Sequence, residues 1–86
     1  MQVQVYGTNC APCKVMLENT QQAVRELGWP VFVENVRRIQ DMLDMGITGT
    51  PALAIDGEVV VMGRALPVAE IKDLLVAAKA QPAAIP

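Results

Sequence analysis

The sequence predicts an α/β domain in which helices flank a four-stranded mixed sheet, with the element order β-α-β-α-β-β-α. Three observations support this fold class: an alternating apolar segment at the N-terminus, helical apolar spacing in later segments, and an Asp-Gly pair between two short apolar runs. A strand–helix–strand unit makes its two strands parallel, whereas a tight hairpin makes its strands antiparallel. The 86 residues suffice for one small domain.

The N-terminal part of the chain is predicted to form the strand–helix–strand unit. Valines alternate with glutamines over residues 2–6, which is typical of a half-buried strand. A helix is predicted over residues 11–27, because its apolar residues share one face, Pro12 is tolerated in a first turn, and Gly28 is a typical stop. The β-branched run at 31–36 predicts the second strand.

A short second helix is predicted over residues 39–45. Met42 and Leu43 are expected to face inward, and Gly46 is expected to end the helix. Methionine is a flexible filler of irregular cores, so a core position is expected for the methionines at 16, 42, 45 and 62.

The C-terminal part is predicted to form a hairpin and a last helix. Strands over 52–55 and 59–62 are joined by the Asp-Gly pair, which is a strong signal for a tight turn. Pro67 is expected to open the last helix, since proline is favoured in a first turn. We therefore expect one domain over residues 1–79 and a flexible tail over residues 80–86.

Composition excludes several classes of function. The chain is 52% hydrophobic, which suits a packed domain, and its net charge of −2 provides no basic patch for nucleic acid. No apolar run approaches the about 20 residues of a membrane span, and the N-terminus lacks the basic segment of a signal peptide. A cytoplasmic location without nucleic-acid or membrane partners is therefore expected. The absence of histidine excludes a histidine base and mixed cysteine–histidine zinc sites.

Cys10 and Cys13 are the only two cysteines, and they stand at the predicted start of the first helix. Free N–H groups and the helix dipole favour an anion there, so we expect a lowered pKa for the Cys10 thiol. Cys13 lies one helical turn further along, within reach of a sulfur bonded to Cys10. Such a pair in the cytoplasm is more typical of catalysis or metal binding than of a structural bridge. The pattern by itself leaves redox chemistry, Cu(I) carriage and a structural disulfide open.

Thr50 and Pro51 follow a glycine-containing loop and precede a predicted strand, where a proline is unusual. A cis bond between them is accessible, because it costs an X–Pro unit only about 0.5–1 kcal/mol. Such a bond is expected to turn the Thr50 backbone outward, so that its N–H and C=O can pair with an extended substrate beside Cys10.

The chain resembles the thioredoxin superfamily over residues 1–79, through the segments CAPCK, GITGTPAL and the DGEVV hairpin. The resemblance is to the small thioredoxin-like or glutaredoxin-like redox proteins of bacteria and archaea. It implies a thioredoxin-like fold that reduces protein disulfides, with Cys10 as nucleophile, Cys13 as resolving cysteine and Pro51 in cis. We expect a monomer without bound cofactor that receives electrons from a flavin-type thioredoxin reductase or another dithiol donor. The residues expected to hold the target protein are Ala11, Pro12, Ile47, Thr50 and Pro51.

The chain departs from typical thioredoxins at three positions. Asn9 stands where they carry tryptophan, Ala11 replaces a glycine between the cysteines, and Gln4 replaces a buried aspartate. Because glutamine does not titrate, the proton of Cys13 must pass to water, to another carboxylate or to the departing thiolate. The reductant and the redox potential are therefore not implied by the resemblance.

The main alternative is a soft-metal carrier that binds Cu(I) with the same two thiolates. Small copper-chaperone domains also place CxxC at the start of a helix, but their order is β-α-β-β-α-β and they end in a strand. A redox-inert adaptor of the same shape is a third hypothesis.

Overall fold

Four strands and three helices follow one another in the predicted order in the computed structural model, which describes residues 1–80. The elements are β1 (Val3–Tyr6), α1 (Ala11–Leu27), β2 (Val33–Val36), α2 (Ile39–Asp44), β3 (Ala52–Ile55), β4 (Glu58–Met62) and α3 (Val68–Ala80). The predicted tail at 80–86 lies outside the described residues except for its first position, so the boundary at residue 79 stays a prediction. The α/β fold class predicted from the sequence is confirmed.

The sheet is mixed, with the strand order β2-β1-β3-β4. Strand β1 pairs in parallel with β2 and antiparallel with β3, and β3 pairs antiparallel with β4. Asp56 and Gly57 both have positive φ angles, 52° and 84°, as a tight hairpin turn requires. Strand β2 is two residues shorter than predicted, because β1 is its only neighbour among residues 1–80 and their pairing begins with Val3 opposite Val33.

Helices α1 and α3 pack on one face of the sheet and form the larger core. Met16 of α1 and Ile71 and Leu75 of α3 are fully buried against strand residues such as Val5 and Leu53. The buried Thr20 hydroxyl donates a hydrogen bond of 2.7 Å to the Met16 carbonyl, so its polar group is satisfied within α1.

Helix α2 covers the other face, where a smaller cluster contains Tyr6, Val36, Met42, Ile47, Ala52 and Ala54. Met42 is buried as predicted, but the prediction that Leu43 also faces inward is wrong, since this side chain is 62% exposed. Consecutive residues point about 100° apart around a helix, so a single short helix turns only one of the two toward the sheet.

The strand ends that position the site meet at one edge of the sheet. Tyr6 at the end of β1 lies opposite Val36 at the end of β2 and opposite Ala52 at the start of β3. Ala52 in turn lies opposite Met62 at the end of β4. The segments that follow β1 and precede β3 therefore emerge side by side.

Candidate active site

Cys10 and Cys13 are joined by a disulfide, with an S–S distance of 2.11 Å and a Cα–Cα distance of 5.1 Å. Cys10 is the N-cap residue of α1, and its extended backbone, with φ −81° and ψ 159°, leads into the helix. Its Sγ accepts a hydrogen bond of 3.1 Å from the backbone N–H of Cys13, in the way that a serine or aspartate oxygen caps a helix. Pro12 lies in the first turn, where its missing N–H has no partner to lose.

The two sulfur-bearing residues differ in exposure. Cys13 is only 4% exposed and belongs to the buried face of α1, whereas Cys10 is partly exposed at the helix end. Cys10 is therefore the more solvent-accessible of the two residues.

The helix terminus provides a positive electrostatic environment for the Cys10 sulfur. The first turn of α1 contains no acidic residue that would offset the positive end of the helix dipole. Lys14, which directly follows Cys13, adds an exposed positive charge. Because bonded sulfurs do not titrate, the lowered pKa of the Cys10 thiol stays a prediction.

Gly7, which is not among the predicted site residues, leaves the space that the Cys13 sulfur occupies. A Cβ atom at Gly7 would lie 2.9 Å from the Cys13 Sγ and 3.1 Å from the Cys13 Cβ. The Gly7 N–H donates a hydrogen bond of 3.0 Å to the Val36 carbonyl, which holds the backbone in this position. The signal in the sequence is a glycine directly after the strand and three residues before the first cysteine.

The loop before β3 carries the cis peptide bond between Thr50 and Pro51. Pro51 is buried, and its carbonyl accepts a hydrogen bond of 2.9 Å from the Gly63 N–H beyond the end of β4. Within residues 1–80, the N–H and C=O groups of Thr50 make no backbone hydrogen bond.

The other residues predicted to hold the target protein differ in their exposure. Ala11 and Pro12 are exposed beside the disulfide. Ile47 is only 4% exposed and packs in the cluster beneath α2, so it presents little surface to a target. Ala11 and Pro12 are therefore the exposed predicted residues next to the sulfurs. Ile47 and Pro51 are buried and support the loop from within the fold.

Met62 ties the loop at 47–51 to the end of β4. Its Sδ accepts two hydrogen bonds of 3.4 Å from Thr48, one from the backbone N–H and one from the side-chain hydroxyl. Met62 is 42% exposed, so the prediction that it fills the core is wrong. Gly49 and Gly63 also approach closely, since a Cβ at Gly49 would lie 3.4 Å from the Gly63 Cα.

Gln4, which stands where typical thioredoxins have aspartate, is directed away from α1. It shares a face of β1 with Tyr6, where its Oε1 accepts a hydrogen bond of 3.1 Å from the Tyr6 hydroxyl and its Nε2 donates one of 3.1 Å to Glu34. Burial raises the pKa of Tyr6, and the negative charges of Glu34 and Asp41 raise it further. Tyr6 therefore stays protonated at neutral pH and acts as a donor.

No helix within residues 1–80 has both the length and the apolar character that crossing a membrane requires.

Comparisons with known proteins agree with this geometry. A family model described as thioredoxin domain matches residues 1–76. The chain is 41% identical over 75 residues to a thioredoxin of Methanothermobacter thermautotrophicus, covering 87% of this chain and 97% of that protein. It is 32% identical over 73 residues to a thioredoxin of Methanocaldococcus jannaschii, covering 85% and 84% respectively.

The Cu(I)-carrier alternative finds no support. The matched family and both relatives are thioredoxins. The element order also differs from the β-α-β-β-α-β of copper-chaperone domains, since a helix follows the hairpin. The family model matches nearly the whole domain, and the chain carries a CxxC disulfide at the start of α1. The chain therefore belongs to the thioredoxin family and is a thiol–disulfide oxidoreductase.

Proposed function

We propose that the chain reduces disulfides of other proteins, with Cys10 as the attacking sulfur and Cys13 as the resolving sulfur. The observation that carries this assignment is the difference in exposure within one disulfide at a helix N-terminus. Cys10 is partly exposed where N–H groups converge, and Cys13 is 4% exposed behind it.

The reaction begins with the dithiol form and moves two electrons to the target. The Cys10 thiolate attacks one target sulfur, the target disulfide breaks, and its second sulfur leaves as a thiolate. Cys13 then loses its proton and attacks the Cys10 sulfur, which releases the first target sulfur and forms the bond seen between Cys10 and Cys13. The N–H of Cys13, which contacts the Cys10 Sγ, stabilises negative charge on that sulfur.

The proton of Cys13 leaves without help from Gln4. This side chain does not titrate, and its hydrogen bonds join it to Tyr6 and Glu34 on the sheet face opposite α1. We propose that the departing target thiolate, or water that reaches the exposed Cys10, accepts the proton.

The target binds as an extended segment beside Cys10. The N–H and C=O of Thr50, which have no backbone partner within residues 1–80, supply two backbone hydrogen bonds, as in the addition of a strand to a sheet. Ala11 and Pro12 provide exposed apolar contacts next to the sulfurs, while Ile47 and Pro51 hold the loop in place from within the fold.

The oxidised protein must be reduced again before the next cycle. We propose a flavin-type thioredoxin reductase or another dithiol donor as the electron source, with no cofactor bound to this chain. A monomer is sufficient, since both sulfurs and the free Thr50 groups belong to one chain. A cytoplasmic location is part of this proposal.

Trapping of mixed disulfides tests the roles of the two cysteines. The Cys13→Ser variant lacks the resolving sulfur, so it should accumulate a covalent complex between Cys10 and a target disulfide. Cys10→Ser is the matched control and should trap far less, because its remaining sulfur is buried. Equal trapping by both variants would contradict the assignment, and failure of the wild-type dithiol to reduce insulin would contradict the function.

A further inference from the structure

Met62 contacts the loop at 47–51 from the end of β4. It is the last residue of β4, it is 42% exposed, and its Sδ accepts both hydrogen bonds that Thr48 donates toward it. Thr48 lies two residues before Thr50, whose backbone is free to bind a target. The thioether therefore anchors the loop while remaining open to small reagents.

We propose that Met62 is an oxidation site, and that its conversion to the sulfoxide by a peroxide releases this loop and weakens target binding. The inference rests on the proposed function in so far as the loop binds targets. The modification itself depends only on the sulfur and its neighbours.

The chemistry adds one oxygen atom to the sulfur. A sulfur lone pair attacks one oxygen of hydrogen peroxide, the O–O bond breaks, and the sulfur loses two electrons as the other oxygen leaves as water. A thioether sulfur has two lone pairs, and two Thr48 donors are directed at it. The new oxygen therefore takes a place that a Thr48 donor now occupies, and either the side chain rotates or the loop moves.

Exposure distinguishes Met62 from most other methionines of the chain. Met16 is fully buried and Met42 is 6% exposed, so both are protected from a dissolved oxidant, and Met45 is partly buried against the cluster beneath α2. Met1 is 44% exposed, close to the value for Met62, but it precedes β1 and lies at the far end of that strand from Cys10. Met1 is thus an internal control for oxidation without contact to the loop.

The consequence for function is a change in binding rather than in chemistry. Loss of two weak hydrogen bonds at the loop should raise KM for a target disulfide about three- to tenfold. The sulfurs themselves are unaltered, so kcat should change little. Methionine sulfoxide reductase removes the oxygen and should restore the original KM.

The experiment treats the disulfide form of the protein with hydrogen peroxide, so that neither cysteine is free to react. Peptide mass spectrometry then measures oxygen addition at Met62, Met45 and Met1, dithiothreitol reduces the disulfide, and KM is measured with a peptide disulfide. Wild type should lose affinity after peroxide. Met62→Leu keeps a similar volume but cannot accept the hydrogen bonds, so its KM should be raised beforehand and should not change on treatment.

A readout independent of activity completes the test. Amide hydrogen exchange at Thr48 should become faster when Met62 is oxidised, because the added oxygen occupies the place of the N–H donor and displaces the loop that carries it. The inference is overturned if Met62 stays unmodified while Met1 is converted, if Thr48 exchange is unchanged by oxidation, or if Met62→Leu loses affinity on treatment as much as wild type. If untreated protein has no reductase activity, the proposed function is contradicted instead. The change in Thr48 hydrogen exchange on oxidation would still test whether Met62 oxidation releases the loop.

Discussion

Substituting Gly7 by alanine should change the redox potential of the disulfide while leaving both sulfurs in place. The added Cβ would lie 2.9 Å from the Cys13 Sγ and 3.1 Å from the Cys13 Cβ. Carbon atoms in contact normally lie about 3.5–4.0 Å apart, so the neighbouring atoms must move by several tenths of an ångström. The Gly7 backbone cannot easily yield, because its N–H is bonded to the Val36 carbonyl.

The two redox states differ in how well they accommodate this methyl group. In the disulfide form the Cys13 sulfur is held by its bond to Cys10 and cannot rotate away. In the dithiol form the Cys13 side chain is free to adopt another rotamer. The variant should therefore destabilise the disulfide form more than the dithiol form.

The size of the effect follows from the cost of overpacking. Inserting a methyl group into a packed site typically costs about 1–3 kcal/mol. If the dithiol form escapes this cost, a conversion of about 30 mV per 1.4 kcal/mol makes the potential about 20–60 mV less negative. Because part of the clash involves the Cys13 Cβ, which moves little, the shift should fall toward the lower end of this range.

The assay equilibrates the protein in glutathione buffers of known potential and counts free thiols by alkylation and mass spectrometry. Thr8→Ala is the control, since Thr8 is the exposed neighbour of Gly7 and its substitution fills no space. Urea unfolding of both redox forms supplies the second measurement. A Gly7→Ala potential equal to that of wild type, with equal stability losses in the two forms, would refute the link between this glycine and the Cys13 sulfur.

Two further predictions concern stability. The Tyr6 pKa is raised above its ordinary value of 10.0 by burial and by Glu34 and Asp41. A raised folded-state pKa gives stability that is present below the unfolded pKa and lost as pH rises through the folded one. Unfolding free energy of the disulfide form should therefore fall more steeply above pH 10.0 in wild type than in Tyr6→Phe, and parallel curves would contradict the burial of the ionising hydroxyl. Gly28 ends α1 with φ 70°, so Gly28→Ala should lower the unfolding free energy by about 1–2 kcal/mol in urea titration, with reductase activity unchanged. Unchanged stability would show that this position tolerates a side chain in the left-handed region.

The order of elements could be predicted because its signals are local. Alternation in β1, one apolar face in α1 and the Asp-Gly turn each act within a few residues, and the structure has all three. Predictions were less accurate for element ends that depend on a neighbouring strand. The length of β2, for example, is set by its pairing with β1. The misplacement of Leu43 has the same origin, since two consecutive apolar residues do not reveal which one faces the sheet.

The sulfurs of the site could be predicted, whereas the contacts that support them could not. Cys10 and Cys13 are recognised by their spacing, a property of four consecutive residues. Gly7 matters because folding brings the end of β1 against α1, and Met62 matters because β4 ends beside the loop at 47–51. Both act through atoms of another segment, so each looks like an ordinary turn or core residue in the sequence. A substitution at Gly7 should therefore alter the redox potential through the buried Cys13 sulfur. A substitution at Met62 should alter target affinity through the loop at 47–51.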